Sequence, residues 1–281
     1  MGTTSPDILV GEEKPYISRY IANAHTMFNV INAIIFLSIL PYLVKVATWL
    51  TPSAKDEKLD ELYHIRYLDR RFVDSPEVAL LQARLEIVRM GDIAQTMFDD
   101  VVNALRIRNS KNLSTWKDRE DILDNFQKEI TDFLVRVMQD NIIVEESKEL
   151  ASLMRMSNNL EKIGDEAEDI AIAIEAIIDD GFYFSSQALQ DYVVISSEVS
   201  KFLALVIQEI EEENVNIMPE AVTLVNNVNQ MAEQMRSSHY SRLMEENCEM
   251  ERGAIFIDIL NALEKISDFC YNVAQAVAGV K

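Results

Sequence analysis

The stretch NNLEKIGDEAEDIAIA at residues 158–173 decides the fold, because it recurs as NALEKISDFCYNVAQA at residues 261–276. Eight of the sixteen positions are identical, at a constant offset of 103 residues. Two unrelated amphipathic helices would share leucine and isoleucine at helical spacing, but not also the same asparagine, lysine and acids. The recurrence therefore predicts an internal duplication in which each copy forms the last helix of its repeat.

The sequence around these two copies predicts an all-α chain. Only 7 glycines and 6 prolines interrupt 281 residues, of which 48% are hydrophobic, so long helices can bury a large core. Ser75-Pro76-Glu77 and Pro219 provide helix start signals. We expect two tandem three-helix bundles over residues 76–281: helices at 76–109, 114–144 and 146–179 in the first (76–181), and at 186–213, 218–246 and 248–279 in the second (182–281).

Charge and motif content exclude several functional classes. The formal net charge of −21 opposes binding to nucleic acid and suits cations or a basic protein surface, although a simply solvated acidic exterior is the alternative. Cys248 and Cys270 form no CxxC pair, so no disulfide framework or zinc site is expected. The sequence has no P-loop, nucleophile elbow or zinc-protease motif, and its three histidines are scattered. We therefore expect a protein that is not an enzyme.

Residues 20–50 form an apolar stretch in which Lys45 is the only charged side chain. The length suffices to cross a bilayer, and we interpret the stretch as a membrane segment. A buried core helix is the alternative, because polar residues such as Asn23 interrupt the stretch. The charged connector at 51–75 carries more lysine and arginine than the residues before the stretch. This asymmetry predicts a cell-membrane protein whose C-terminal domain is cytoplasmic.

His25, Asn29 and Asn32 recur at helical spacing and share one face of this predicted segment. In hydrocarbon such a polar stripe needs another helix or a water-filled path beside it. The segment is therefore expected to belong to a larger membrane body, or to a subunit that docks against one.

Paired acids are the candidate metal ligands. The repeat carries two acids at i, i+4 spacing in each copy, and the middle helix of the first bundle adds two more. Carboxylate oxygens favour Mg²⁺, Ca²⁺ or Mn²⁺ over zinc or copper, while an unliganded acidic face is the alternative. The second bundle has Asn226 and Asn229 on its middle helix, so weaker binding is expected there. The candidate ligands are Glu161, Asp165, Asp121, Asp124, Glu264 and Asp268.

The pattern R-x-x-N-x-LEKIGD-x-A-x-x-IA at residues 155–171 resembles the signature helix of PhoU proteins. Residues 81–105 and 118–130 also resemble the first and second helices of that family. The resemblance implies a pair of three-helix bundles over about 76–281 and metal clusters bound through E/D-xxx-D motifs. It also adds iron, and hence a trivalent ion, to the candidate metals.

The front of the chain resembles a second family. Gly2-Thr3-Thr4-Ser5, followed by A-x-x-H-x-x-F-N at residues 22–29, is similar to elements in the last repeat of sodium/phosphate cotransporters. Several bacterial members of that family carry a C-terminal PhoU-like domain. The resemblance implies phosphate as substrate, sodium as coupling ion, and the remaining transmembrane repeats as partners. It implies that residues 1–50 are the remnant of a membrane transport domain, and it assigns the transport residues Thr3, Thr4, His25 and Asn29.

Together the two resemblances imply part of a sodium-dependent phosphate transporter with a cytoplasmic PhoU-like regulatory domain that binds metal. The chain begins inside a family motif, so we interpret it as truncated or separately encoded. The alternative is a separate PhoU-like regulator that acts on another transporter or on a sensor kinase. A homo-oligomer is compatible with either interpretation.

Removal of residues 1–55 is expected to move the chain from the membrane fraction to the soluble fraction, because it deletes the apolar stretch. Fractionation of cells that express the full and the shortened chain measures this. Equal solubility of the two forms would contradict the membrane interpretation.

Overall fold

The computed structural model describes residues 17–50, 63–108, 113, 115–139, 142–244 and 250–280. The chain divides into one unit at Met1–Asp60 and a second at Glu61–Lys281. Helix α1 (Ile17–Leu50) belongs to the first unit and exposes both His25 and Asn29, whereas Thr3 and Thr4 lie outside the described residues. Among the described residues, no helix combines the length and apolar character that crossing a membrane requires, so the membrane segment predicted over 20–50 finds no support there.

Six long helices form the second unit, and the described residues contain no strand, so the predicted all-α class is confirmed. The largest difference from the predicted bounds is the end of the second of these helices, at Met138 rather than near 144. Apolar Ile142 and Ile143 continue the pattern there, but Ile143 already precedes the next helix, and its N–H donates to Glu146 at 2.8 Å. The helices are α2 (Pro76–Ile107), α3 (Trp116–Met138), α4 (Val144–Asp179), α5 (Ser186–Glu212), α6 (Met218–Met244) and α7 (Met250–Val277).

Local signals end and begin these helices. Pro76 occupies the first turn of α2, and Ser185 accepts a hydrogen bond from the Ala188 N–H at the start of α5. Arg108 and Glu213, with φ angles of 50° and 56°, end α2 and α5 in the left-handed conformation. That conformation turns the chain out of the helix and lets the cap N–H reach a carbonyl of the last turn.

Helices α2–α4 pack as one bundle and α5–α7 as the other, with α4 against α7 between them. The α4–α7 contact pairs equivalent positions of the duplicated sequence. The ammonium group of Lys162 lies 5.6 Å from the ring centroid of Phe269, and that of Lys265 donates to both carboxylate oxygens of Glu166 at 2.9 and 3.1 Å. The offset of 103 that relates Lys162 to Lys265 also relates Glu166 to Phe269. The two contacts are therefore the two halves of an approximate two-fold arrangement.

Two glycines allow neighbouring helices to approach closely, one between α2 and α5 and one between α3 and α4. A Cβ atom added to Gly91 on α2 would lie 2.8 Å from Cγ1 of Ile207 on α5. One added to Gly164 on α4 would lie 2.6 Å from Cδ1 of Leu123 on α3. Both distances are shorter than van der Waals contact, but Cδ1 of Leu123 can rotate away, whereas Cγ1 of Ile207 is held near the backbone.

Gly91→Ala is expected to lower the free energy of unfolding by about 1–2 kcal/mol, because overpacking outweighs the gain in helix propensity of about 1 kcal/mol. Gly164→Ala is the matched control and is expected to lower it by less, since Leu123 can change rotamer. Urea denaturation of both variants measures the difference. A Gly91→Ala variant at least as stable as Gly164→Ala would contradict the tight α2–α5 contact.

Candidate metal centre

Three carboxylates converge where α3 packs on α4. One oxygen each of Glu120, Asp124 and Asp165 lies within 4.8 Å of the other two. Glu120 is partly buried, and both aspartates are exposed. We call these three residues the acidic cluster.

The local sequence explains why the cluster forms. On α3, Glu120 and Asp124 are four residues apart and flank the buried positions Ile122 and Leu123. Leu123 packs directly against Gly164, the neighbour of Asp165 in the chain. Because Gly164 has no side chain, α3 approaches α4 closely at this point, and the acids on both helices are brought together.

The electrostatics of the cluster disfavour three free negative charges. Burial, followed by the charges of Asp124 and Glu168, raises the pKa of Glu120 to about 7. Burial also raises the pKa values of Glu161, Asp165 and Glu168, and neighbouring acids add to the rise. The main neighbour is Asp165 for the two glutamates and Asp124 for Asp165. Lys162 opposes this rise at Glu161 and Asp165. The positive charge of Lys162 therefore offsets only part of the repulsion among these carboxylates.

The structure separates the sequence-predicted acids of the first bundle. Asp124 and Asp165 belong to the acidic cluster, and Glu161 lies in the electrostatic range of both. Asp121 is outside the acidic cluster, and the second α3 carboxylate of the cluster is that of its neighbour Glu120. The i, i+4 spacing of Glu120 and Asp124 repeats that of Glu161 and Asp165 and could have identified Glu120 from the sequence.

The second bundle has a different arrangement at the equivalent acids. Arg236 of α6 forms an ion pair with Glu264 and donates to Oδ1 of Asn261 at 3.0 Å. The pKa of Asp268 is raised by burial and by Glu264. Asn226 and Asn229 are exposed. Within the described part of α5–α7, no three acids converge. The positive charge beside Glu264 is the guanidinium group of Arg236.

The residues of the first bundle fit a hard cation. The acidic cluster offers only carboxylate oxygens, the ligand type that Mg²⁺, Ca²⁺ and Mn²⁺ prefer and that Fe³⁺ accepts. A cation there would also offset the repulsion that raises the pKa values of these acids. Binding by Glu264 and Asp268 remains a prediction that requires Arg236 to give way.

Known proteins are similar to this chain over most of its length. A phosphate-specific transport system accessory protein, a PhoU homolog from Clostridium acetobutylicum, is 22% identical over 202 residues, which cover 71% of this chain and 91% of that protein. The putative inorganic phosphate export protein YjbB from Salmonella typhimurium is 22% identical over 271 residues, or 92% of this chain. This chain spans about half of the export protein, 48% of its length.

Solved structures show the same fold. The crystal structure of PhoU from Pseudomonas aeruginosa superposes with a TM-score of 0.68 at 21% identity, and covers 72% of this chain and 96% of that one. PhoU from Streptococcus pneumoniae superposes with a TM-score of 0.63 at 14% identity over 72% of this chain and 95% of that one. The PhoU domain description matches residues 87–174 and 194–277, which are most of α2–α4 and of α5–α7. This chain therefore belongs to the PhoU domain family.

Proposed function

We propose that this chain is the C-terminal part of a phosphate transport protein, in which the PhoU-like bundles regulate transport according to cation occupancy of the acidic cluster. One observation carries the first half of the proposal. The similarity to the phosphate export protein extends over 271 residues, whereas the bundles begin only at Pro76, so it includes residues ahead of the bundles. A regulator that consisted of bundles alone would have no such match.

Sodium coupling, membrane location and the transport roles of Thr3, Thr4, His25 and Asn29 belong to the same proposal. Their support is the resemblance of residues 2–5 and 22–29 to sodium/phosphate cotransporters. His25 and Asn29 are both exposed on α1, one helical turn apart, as a shared face requires. The direction of phosphate movement is left to experiment, because the relatives over this length are named for export.

The acidic cluster supplies the regulatory half of the proposal. Glu120, Asp124 and Asp165 would hold the cation, and Glu161 and Glu168 would add negative potential around it. A bound divalent or trivalent cation adds to the positive charge that Lys162 already supplies beside these acids. The α3 and α4 carboxylates then attract the same ion instead of repelling one another, and the first bundle is stabilised.

A separate regulator that acts on another transporter or on a sensor kinase is the second candidate function. It is favoured by the PhoU homolog from Clostridium acetobutylicum, since the matched 202 residues are 91% of that whole protein. The two candidates differ in whether residues 1–60 are needed for phosphate flux.

Replacement of the host's gene with a Glu120→Gln/Asp165→Asn version is expected to change phosphate flux at least threefold, because the cluster can no longer hold a cation. Asp121→Asn is the matched control, since Asp121 neighbours Glu120 but lies outside the cluster. Uptake and efflux of radiolabelled phosphate in intact cells measure the effect. Wild-type flux in the double variant would contradict regulation by this site. Wild-type flux after deletion of residues 1–60 would instead favour the separate regulator.

Mn²⁺ at about 100 times its dissociation constant is expected to stabilise the chain by about 2.7 kcal/mol, or roughly 5–10 °C in melting temperature. Glu120→Gln/Asp165→Asn should abolish this shift. Glu264→Gln/Asp268→Asn should retain it while lowering the starting stability, because Arg236 loses the charge of Glu264 and keeps that of the more exposed Glu233. Thermal melts with and without Mn²⁺ measure both effects. A shift that only the second pair abolishes would place the cation in the other bundle.

Without added cation, the raised pKa of Glu120 makes the folded state bind a proton that the unfolded state releases between about pH 4.5 and 7. The stability contributed by this proton is present at low pH and is lost as the pH rises through that window. Glu120→Gln removes the effect. The melting temperature of the parent minus that of Glu120→Gln should therefore fall from pH 5 to pH 7. A constant difference would contradict the electrostatic description of the cluster.

The Mn²⁺-induced shift should follow the opposite course and grow from pH 5 to pH 7, because a cation competes with protons for the carboxylates. The same series of melts, repeated with Mn²⁺, measures it.

A further inference from the structure

Residues 63–69, which we call the strap, lie just ahead of the first bundle and are hydrogen-bonded to α2 and α3. The backbone N–H groups of Arg66 and Tyr67 both donate to Oε2 of Glu86, at 2.9 and 2.6 Å. The N–H of Asp69 donates to Oε1 of Gln82 at 3.1 Å. Two side chains of α2, one helical turn apart, thus hold three backbone groups of the strap.

Glu86 ties the strap to the core of the domain. Its side chain is 0% exposed, and a carboxylate in such a place requires charge and hydrogen-bond partners. Arg89 forms an ion pair with it, donates to the carbonyl of His64 at 3.2 Å, and stacks over Phe126 of α3 at 5.0 Å. Detachment of the strap would remove two N–H donors from a buried carboxylate, so the attached strap is strongly favoured.

The other end of the strap reaches the part of α3 that bears the acidic cluster. Nδ2 of Asn125 donates to the carbonyl of Tyr63 at 3.4 Å, and Asn125 directly follows Asp124 in the chain. Burial and the charges of Asp121, Asp118 and Glu120 raise the pKa of the Tyr63 hydroxyl. The strap therefore bridges α2 and α3 within the field of the α3 acids.

We propose that the acidic cluster and the strap are coupled: cation binding at the cluster tightens attachment of the strap, and release of the strap weakens cation binding. This inference rests on the proposed cation-dependent function. A cation that links Glu120 and Asp124 to Asp165 stabilises the packing of α3 on α4. The strap is hydrogen-bonded to α3 as well as to α2. If α3 unfolds locally less often, the strap also detaches less often.

The coupling is reciprocal. By linkage, the factor by which the cation favours the attached strap equals the factor by which attachment raises cation affinity.

Amide hydrogen exchange of the full chain with and without Mn²⁺ tests the coupling directly. Exchange at Arg66, Tyr67 and Asp69 is expected to slow at least threefold with Mn²⁺. Unchanged exchange at these three amides, in a chain that Mn²⁺ does stabilise against heat, would overturn the coupling and leave the cation site intact. The absence of any Mn²⁺ effect on melting or exchange would overturn both proposals.

The reciprocal test measures Mn²⁺ affinity by titration calorimetry in variants of the strap contacts. Glu86→Gln and Asn125→Ala are each expected to raise the dissociation constant at least threefold, and neither residue belongs to the acidic cluster. Asn125→Ala alters a partly buried contact without touching a buried charge, so it remains informative if Glu86→Gln fails to fold.

Arg84→Gln is the matched control, because Arg84 lies on the same helix and forms ion pairs with Glu149 and Glu213, away from the strap. Its dissociation constant should equal that of the parent. An equal loss of affinity in Arg84→Gln and the strap variants would reduce the effect to general destabilisation and overturn the coupling. Unchanged affinity in Asn125→Ala and Glu86→Gln would overturn it as well.

Discussion

The contact between α4 and α7 is the constraint on which both bundles depend. Each helix is the last of its bundle, and each presents one face to its own bundle and another to its duplicate. Asn159 and Asn272 bond across this contact at 3.3 Å, and the Lys265–Glu166 ion pair and the Lys162–Phe269 contact lie beside them. A lysine stands at both equivalent positions of the duplicated sequence. Lys265 contacts a carboxylate and Lys162 contacts an aromatic ring, so the same helix packing accommodates an ion pair and a cation–π contact.

Duplication explains the architecture, and divergence after duplication explains why the acids of the two bundles have different surroundings. The first bundle keeps acids on two facing helices without a full complement of cations, and their raised pKa values express the resulting repulsion. The second bundle supplies a guanidinium group at its equivalent acid through Arg236. The two halves therefore differ in charge: an arginine pairs with one of the acids in the second bundle, whereas the three acids that converge in the first repel one another.

The strap connects the α3 segment that bears the acidic cluster to a buried carboxylate of α2. A fully buried carboxylate such as Glu86 is rare unless its partners are built into the fold. Here those partners are an arginine of the same helix and the backbone of the incoming chain. Residues 63–69 are therefore part of the polar core of the domain.

The sequence by itself determined the all-α class, the duplication and five of the six bundle helices to within a few residues. Its repeated acid spacing also placed Asp165 among the candidate ligands, and its middle helix offered Asp124; the structure brings these two carboxylates close together. Only the tertiary structure placed Glu120 in the cluster instead of Asp121, paired Arg236 with Glu264 and buried Glu86 beneath the strap. Periodicity within one helix does not specify how a neighbouring helix is rotated or how closely it approaches. Those quantities depend on contacts such as Leu123 against Gly164, which join residues far apart in the chain.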